Sequence, residues 1–182
     1  MAGTIEKSLL AVALLGIMLP HAGWADGPSR QKITEAIQID APPAKVWAKI
    51  ADFHDMSWLP GVAKTTGEDG NEPDVAKRQL TLAGGATVDE SLTKYEAGAM
   101  SYSYRIDKVA VKVLPVNDYS ATITVLPAEG GKSTVEWRGV FYRGDPSNDP
   151  APELNDEAAL KAVGKVYRAG LNNLKKKVEA AK

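Results

Sequence analysis

Apolar and polar residues alternate along most of the middle of the chain, and this period of two predicts β-strands. The first strand is predicted at 33–39, ahead of the proline pair at 42–43. The same pattern predicts further strands at 62–66, 77–82, 86–95, 100–106, 109–113, 119–126 and 134–143. Glycine pairs at 84–85 and 130–131 separate neighbouring strands and indicate hairpin turns. The middle of the chain is therefore predicted to form a sheet built from hairpins.

Apolar residues at helical spacing predict helices on both sides of this strand-rich region. One helix is predicted at 43–53, opened by Pro43, and a second short helix at 56–60. A long helix is predicted at 153–180 from a stripe at spacings of three and four. The stripe consists of Leu160, Val163, Tyr167, Leu171, Leu174 and Val178. Grouped strands with helices outside them predict an α+β domain, in which an antiparallel sheet packs on helices.

The first 25 residues have the order of a secretory signal peptide. Lys7 supplies positive charge, an apolar run follows at 9–19, and small residues Gly23 and Ala25 precede a cleavage site before Asp26. The run is too short for a membrane span, which needs about 20 apolar residues; an uncleaved anchor is the alternative. We therefore expect a mature single domain at 26–182, with no transmembrane segment.

Composition removes several kinds of chemistry. The chain has no cysteine, which excludes a thiol nucleophile and cysteine-ligated metal clusters, and an exported protein without disulfides suits a bacterial periplasm. His54 is the only histidine after residue 25, so multi-histidine metal sites are excluded and no metal or cofactor is expected. The formal net charge of −1 argues against a nucleic-acid partner. The lysine run at 175–177 is interpreted as a solvated helix end.

The order of the predicted elements resembles the helix-grip fold of the START-like (SRPBCC) superfamily. The segment 37–53 is similar to the opening of this superfamily, and the segments 114–119, 135–141 and 170–175 are similar to its polyketide cyclase/dehydrase-like group. This resemblance implies a curved antiparallel sheet of about seven strands wrapped around a long C-terminal helix, with two short helices after the first strand. It also implies a cavity between sheet and helix.

Within that group, an exported, cysteine-free chain of this size resembles the MxaD-like periplasmic proteins of methanol oxidation. The resemblance implies an accessory protein whose partners are methanol dehydrogenase and its cytochrome c acceptor. A small hydrophobic molecule in the cavity is the other partner that the superfamily implies.

Strand parity identifies a candidate inward face without reference to the family. Arg78 and Glu90 share the parity of the apolar residues Leu80, Leu82, Val88 and Leu92. If Leu82 faces Ala86 across the glycine loop, then Arg78 faces Glu90 as an opposite-charge pair on the inward face. A short turn at 97–98 is expected to bring Tyr104 near Glu90.

Aromatic residues extend this face onto the later strands and the long helix. The candidate ligand-binding residues are Arg78, Glu90, Tyr102, Tyr104, Tyr119, Trp137, Phe141, Tyr167 and Leu171. A mainly aromatic face with a few polar groups is typical of a small-molecule pocket. The same alternation also fits plain core, because tyrosine is favoured on any half-buried sheet surface.

Three functions remain open from the sequence. The first is a non-enzymatic accessory or hydrophobic-ligand-binding protein, which the lack of a nucleophile motif favours. The second is a cyclase or dehydratase using Arg78, Glu90 and Tyr104, and the third is a carrier of lipids or other hydrophobic molecules. His54 lies between Asp52 and Asp55, but we interpret it as a surface or capping residue. No catalytic residue is assigned.

Overall fold

Seven strands and two α-helices make up the part of the chain that the computed structural model describes, residues 27–181. The predicted signal peptide at 1–25 and its cleavage site therefore lie outside the described residues. The elements are β1 (Gln31–Ile39), α1 (Pro43–Trp47), β2 (Val62–Glu68), β3 (Lys77–Leu82), β4 (Thr87–Glu96), β5 (Ser101–Val109), β6 (Val116–Ala128), β7 (Lys132–Arg143) and α2 (Asp156–Ala180). Single 3-10 turns lie at Ala97–Ala99, Glu129–Gly131 and Pro152–Leu154.

The strands form one antiparallel sheet in the order β1-β7-β6-β5-β4-β3-β2. Strands β2 to β7 follow one another as hairpins, while β1 pairs with β7 and α2 packs across these two strands. Register shifts mark bulges in β2, β4, β5 and β6, and a bulge bends and twists the strand that carries it. The α+β helix-grip architecture expected from the sequence is thus confirmed.

The core lies between the concave face of the sheet and α2. Alternate residues of β7 are buried, among them Val135, Trp137 and Phe141, so the inward position expected for Trp137 is confirmed. The buried side of α2 presents Val163, Tyr167, Leu171, Leu174 and Val178 to this face. None of the described helices combines the length and the hydropathy that a membrane span requires.

Three segments differ from their predicted structure, each for a local reason. Helix α1 ends at Trp47, and the rest of the segment to residue 60 forms turns, in which Asp52 and Asp55 accept hydrogen bonds from backbone amides two residues ahead. The strand predicted at 109–113 is a turn closed onto the carbonyl of Ala110. Helix α2 begins at Asp156 rather than 153, where the side chain of Asn155 accepts the amide hydrogen of Ala158.

The apolar spacing of the first predicted helix places Trp47 on its buried side, but Trp47 is only partly buried in the structure. Its ring packs against Tyr95 and Tyr102 at centroid distances of 5.8 and 6.1 Å. The fully buried tryptophan of this region is Trp58, which meets Trp137 edge-on at 5.3 Å. The turns at 56–60 therefore contribute Met56 and Trp58 to the core, beside Val46 of α1.

Candidate functional site

A cavity of about 110 Å³ lies between the concave face of the sheet and α2. Its wall combines strand residues, one α2 residue and side chains from the two turn segments. The wall residues are Met56, Leu59, Leu80, Leu82, Val88, Glu90, Tyr104, Ile106, Val113, Leu114, Tyr119, Trp137 and Val166. Larger depressions of about 320 and 540 Å³ lie along more polar edges of the molecule. We take the apolar cavity as the candidate site because ligand pockets are typically apolar with a few polar groups.

The structure divides the predicted site residues into two groups. Four line the cavity, namely Glu90, Tyr104, Tyr119 and Trp137. Five are buried beside it without bordering it, namely Arg78, Tyr102, Phe141, Tyr167 and Leu171. The residues predicted from strand parity to face inward are therefore buried, but five of the nine do not form the cavity wall.

Most of the aliphatic wall residues are not recognisable as site residues from the sequence. Leu80, Leu82 and Val88 were placed on the inward face by parity, yet an aliphatic side chain gives no sign that it borders a void rather than core. Val113 and Leu114 come from a turn that resembled a strand. Val166 lies one position from the apolar stripe of α2, and no sequence signal identifies it.

Arg78 and Glu90 form the cross-strand pair that the hairpin register predicted. They are direct partners in the β3–β4 ladder, and Arg78 Nε donates to Glu90 Oε2 at 2.6 Å. Both side chains are almost fully buried, with 1% and 6% of their surfaces exposed. Burial raises the pKa of Glu90, and the positive charge of Arg78 opposes that rise. The pair is inward, as expected.

The guanidinium of Arg78 is held by the segment after α1. Its Nη1 donates to the carbonyl oxygen of Phe53 at 2.5 Å, and its central carbon lies 4.0 Å from the centre of the Phe53 ring. The ring of Tyr104 flanks it at 5.1 Å. Arg78 therefore contacts Glu90, Phe53 and Tyr104 on the inward side of the sheet.

Three buried phenols form a hydrogen-bonded row that crosses the cavity wall from β5 to α2. The hydroxyls of Tyr104 and Tyr119 are 3.3 Å apart, and those of Tyr119 and Tyr167 are 2.5 Å apart. Trp137 Nε1 donates to the Tyr104 oxygen at 3.2 Å. The indole of Trp137 also stacks on the Tyr167 ring at 4.1 Å. We call Tyr104, Tyr119 and Tyr167 the phenol row.

Burial raises the pKa of all three phenols above the ordinary value. A second negative charge nearby disfavours ionisation, so Tyr167 adds to the increase at Tyr104, and Tyr104 and Tyr167 add to it at Tyr119. The row therefore stays protonated at neutral pH. Its hydroxyls can orient a ligand by hydrogen bonding, but they are poor bases.

His54 lies outside the cavity wall. It is partly exposed, its Nε2 is 3.1 Å from the carbonyl oxygen of Lys77, and its ring covers Gly67 on β2. This position agrees with the surface interpretation. Within residues 27–181, no group of three or more histidine and acidic side chains is placed to hold a metal ion.

The family model described as "Polyketide cyclase / dehydrase and lipid transport" matches residues 30–179. The chain belongs to this family. The match spans every strand of the sheet and nearly all of α2. A search of curated proteins found no similar sequence.

Solved structures of similar proteins share the fold of this family member. XoxI from Bacillus cereus is 26% identical, with a TM-score of 0.68 over 81% of this chain and 94% of its own. A protein from Nitrosospira multiformis is 24% identical, with a TM-score of 0.67 over 84% and 100%. Norcoclaurine synthase from Thalictrum flavum, solved with dopamine and hydroxybenzaldehyde, is 15% identical, with a TM-score of 0.65 over 97% and 99%. The last two similarities show the fold alone.

Proposed function

We propose that this protein is a non-enzymatic binding protein that holds a small, mainly apolar molecule in the cavity between the sheet and α2. One observation supports this most directly: the wall is aliphatic and aromatic except for Glu90 and two hydroxyls of the phenol row. Such a wall gains affinity from apolar contact and orientation from a few hydrogen bonds.

The polar groups of the wall favour binding over catalysis. Glu90 is the one carboxylate that borders the cavity among the described residues, and Arg78 already engages it at 2.6 Å. The phenols are held protonated by burial. General acid–base catalysis needs a group poised near the working pH. The cyclase or dehydratase alternative would have to use a base that is already paired.

The size of the cavity limits the ligand. An apolar protein cavity of about 150 Å³ accommodates a benzene molecule, and drug-sized ligands occupy pockets of about 300–1,000 Å³. A cavity of about 110 Å³ therefore fits a single small ring or a short branched chain. This size argues against the carrier alternative, which would have to enclose a lipid chain.

A cavity-filling variant tests this function. Native mass spectrometry of protein purified from its own host should detect a retained small molecule. Val88→Phe places a ring in the void and should abolish retention, since Val88 borders the cavity. Val75→Phe is the matched control because Val75 is 48% exposed and outside the wall. Equal retention by the two variants would contradict the proposal.

We further propose that the protein acts in the periplasm after removal of residues 1–25. The charged start, the apolar run and the small residues before Asp26 support this location. N-terminal sequencing of protein from a periplasmic extract should begin at or near Asp26. An intact Met1 in a cytoplasmic fraction would overturn the location.

The resemblance to MxaD-like proteins supports a second proposal, that the protein assists methanol dehydrogenase in passing electrons to its cytochrome acceptor. Adding the purified mature protein to the host's methanol dehydrogenase and cytochrome c should raise the rate of cytochrome reduction. Repeating the assay with the Val88→Phe variant tests whether the cavity is needed for the increase in cytochrome reduction. An unchanged rate with wild-type protein would remove this role and leave the binding function standing.

A further inference from the structure

The phenol row has more hydroxyl protons than acceptors. Each phenol brings one donor and two acceptor positions, and the two links between Tyr104, Tyr119 and Tyr167 use two of the three protons. Trp137 fills an acceptor position of Tyr104 with its own N–H and takes up no proton. One hydroxyl proton is therefore left over, whichever way the row is oriented.

The leftover proton meets no acceptor among the described residues, since the hydrogen bonds of the three hydroxyls are those already named. A buried hydroxyl without an acceptor is costly, so such groups normally find a partner. This proton is therefore available to an acceptor on a molecule that enters the cavity.

Position selects the hydroxyl that carries the proton. Tyr119 also borders the cavity, but it lies in the middle of the row with a phenol oxygen on each side, at 2.5 and 3.3 Å, so its own proton always has an acceptor within reach. The two ends of the row are Tyr167 and Tyr104. The Tyr167 oxygen lies against Gly139 on β7 and does not border the cavity, whereas Tyr104 forms part of its wall.

We propose that the cavity ligand is an uncharged molecule with an acceptor oxygen, of the carbonyl class, that takes the Tyr104 hydroxyl proton as a hydrogen bond. This inference rests on the proposed binding function and specifies its ligand. A row running from Tyr167 through Tyr119 to Tyr104 gives the Tyr104 oxygen two incoming hydrogen bonds and directs its own proton to the cavity. The aliphatic remainder of the wall suits the hydrocarbon part of such a molecule.

Two small probes of matched shape test the proposal: cyclopentanone, and methylenecyclopentane, which has a CH2 group in place of the oxygen. Their dissociation constants are measured by NMR titration of wild-type protein and of Tyr104→Phe. In the variant, the dissociation constant of the ketone relative to that of the hydrocarbon should rise by about threefold to tenfold, which corresponds to the net contribution of one hydrogen bond. The free energy of removing each probe from water is the same for both proteins, so it cancels when their ratios are compared.

Tyr102→Phe is the matched control, since Tyr102 is a buried phenol outside both the row and the wall. It should leave the ratio unchanged. Binding of both probes with the same ratio in wild type and Tyr104→Phe would overturn the acceptor inference alone. Failure of both probes to bind wild-type protein would overturn the binding function as well.

A spectroscopic measurement on wild-type protein covers the case in which Tyr104→Phe fails to fold. A carbonyl that accepts a hydrogen bond absorbs infrared light at a lower frequency than the same carbonyl in hydrocarbon solvent. Bound cyclopentanone should show this lower frequency. A hydrocarbon-like frequency in the bound state would overturn the proposal.

Discussion

Gly139 shows how closely β7 approaches the phenol row. A Cβ atom at this position would lie 2.3 Å from the Tyr167 oxygen. Tyr167 cannot retreat freely, because its ring is stacked on Trp137 at 4.1 Å. Position 139 is therefore restricted to glycine, because a larger residue would collide with the Tyr167 side chain.

The Gly139→Ala substitution should lower the free energy of unfolding by about 1–3 kcal/mol, the usual cost of forcing extra volume into a packed interior. Gly98→Ala is the matched control, because no atom lies within 4 Å of a Cβ there; it should stay within about 0.5 kcal/mol of wild type. Urea denaturation measures both. Equal stability of the two variants would mean that Tyr167 moves without cost.

Trp137 joins β7 to three other aromatic side chains. It meets Trp58 and Tyr167 through its ring and Tyr104 through its N–H. Trp137→Ala should cost about 3–5 kcal/mol, as truncation of large buried aromatics does. Trp47→Ala, at a partly exposed position, should cost clearly less. Thermal unfolding compares them, and similar melting temperatures would show that Trp137 is not a main support of the core.

His54→Ala tests the interpretation of His54, the single histidine of residues 27–181, as a surface residue. Because the imidazole is outside the cavity wall, the variant should retain the bound molecule and any effect on cytochrome reduction. A folded variant with activity reduced about a thousandfold would instead indicate general acid–base catalysis, and the enzyme alternative would replace the binding function.

The β3–β4 hairpin holds a charged pair that should behave as one unit. Arg78 and Glu90 are buried together, so breaking one partner leaves an unpaired charge or an empty acceptor. Glu90→Gln and Arg78→Met should each cost about 3–5 kcal/mol, and the double variant should recover part of that loss. A double-mutant cycle in urea measures the coupling. Small, additive effects, about 0–1 kcal/mol each as at exposed pairs, would contradict it.

At the scale of elements, pairing within a short hairpin was predictable and pairing across bulges was only partly so. The glycine loop fixed Arg78 opposite Glu90. Between β4 and β5, bulges place Tyr104 opposite Leu92 and give Glu90 the partner Ile106. A bulge adds one residue to one strand and changes which side chains face each other, and the alternation of the sequence does not locate it.

The larger differences between the predicted and the observed secondary structure lie in the segments between the strands. Val109, Val111 and Val113 alternate like a strand, yet the chain turns at Ala110. Short apolar runs do not distinguish a strand from a turn by period alone. Two wall residues come from this turn and two from the turns at 56–60, so the outline of the cavity depends on the elements that sequence patterns describe least well.

At the scale of the whole molecule, the family match and the sheet order establish the fold, while the proposed binding function depends on the cavity between the sheet and α2. Fold alone does not specify function. Here Trp58, Trp137, Phe53 and the phenol row fill most of the space between sheet and helix. The remaining space is the small apolar cavity, and the Tyr104 hydroxyl is the donor proposed for its ligand.

The phenol row also links the stability of the whole molecule to alkaline pH. Burial raises the pKa of Tyr104, Tyr119 and Tyr167 above the value of about 10 for an exposed phenol, so the folded state binds these protons more tightly than the unfolded chain. The resulting stability is fully present below about pH 10 and is lost as the pH rises above it.

Phenolate absorbance and far-ultraviolet circular dichroism, followed together on raising the pH, test this link. The row should ionise only as helix and sheet signals disappear, because its protons are released by unfolding. In guanidinium chloride, where the chain is already unfolded, the same phenols should ionise near pH 10. Tyr104→Phe should remove one delayed ionisation from the native titration. Ionisation of all the tyrosines near pH 10 with native circular dichroism would mean that the row is open to solvent, and the buried hydrogen-bonded row at the cavity wall would have to be abandoned.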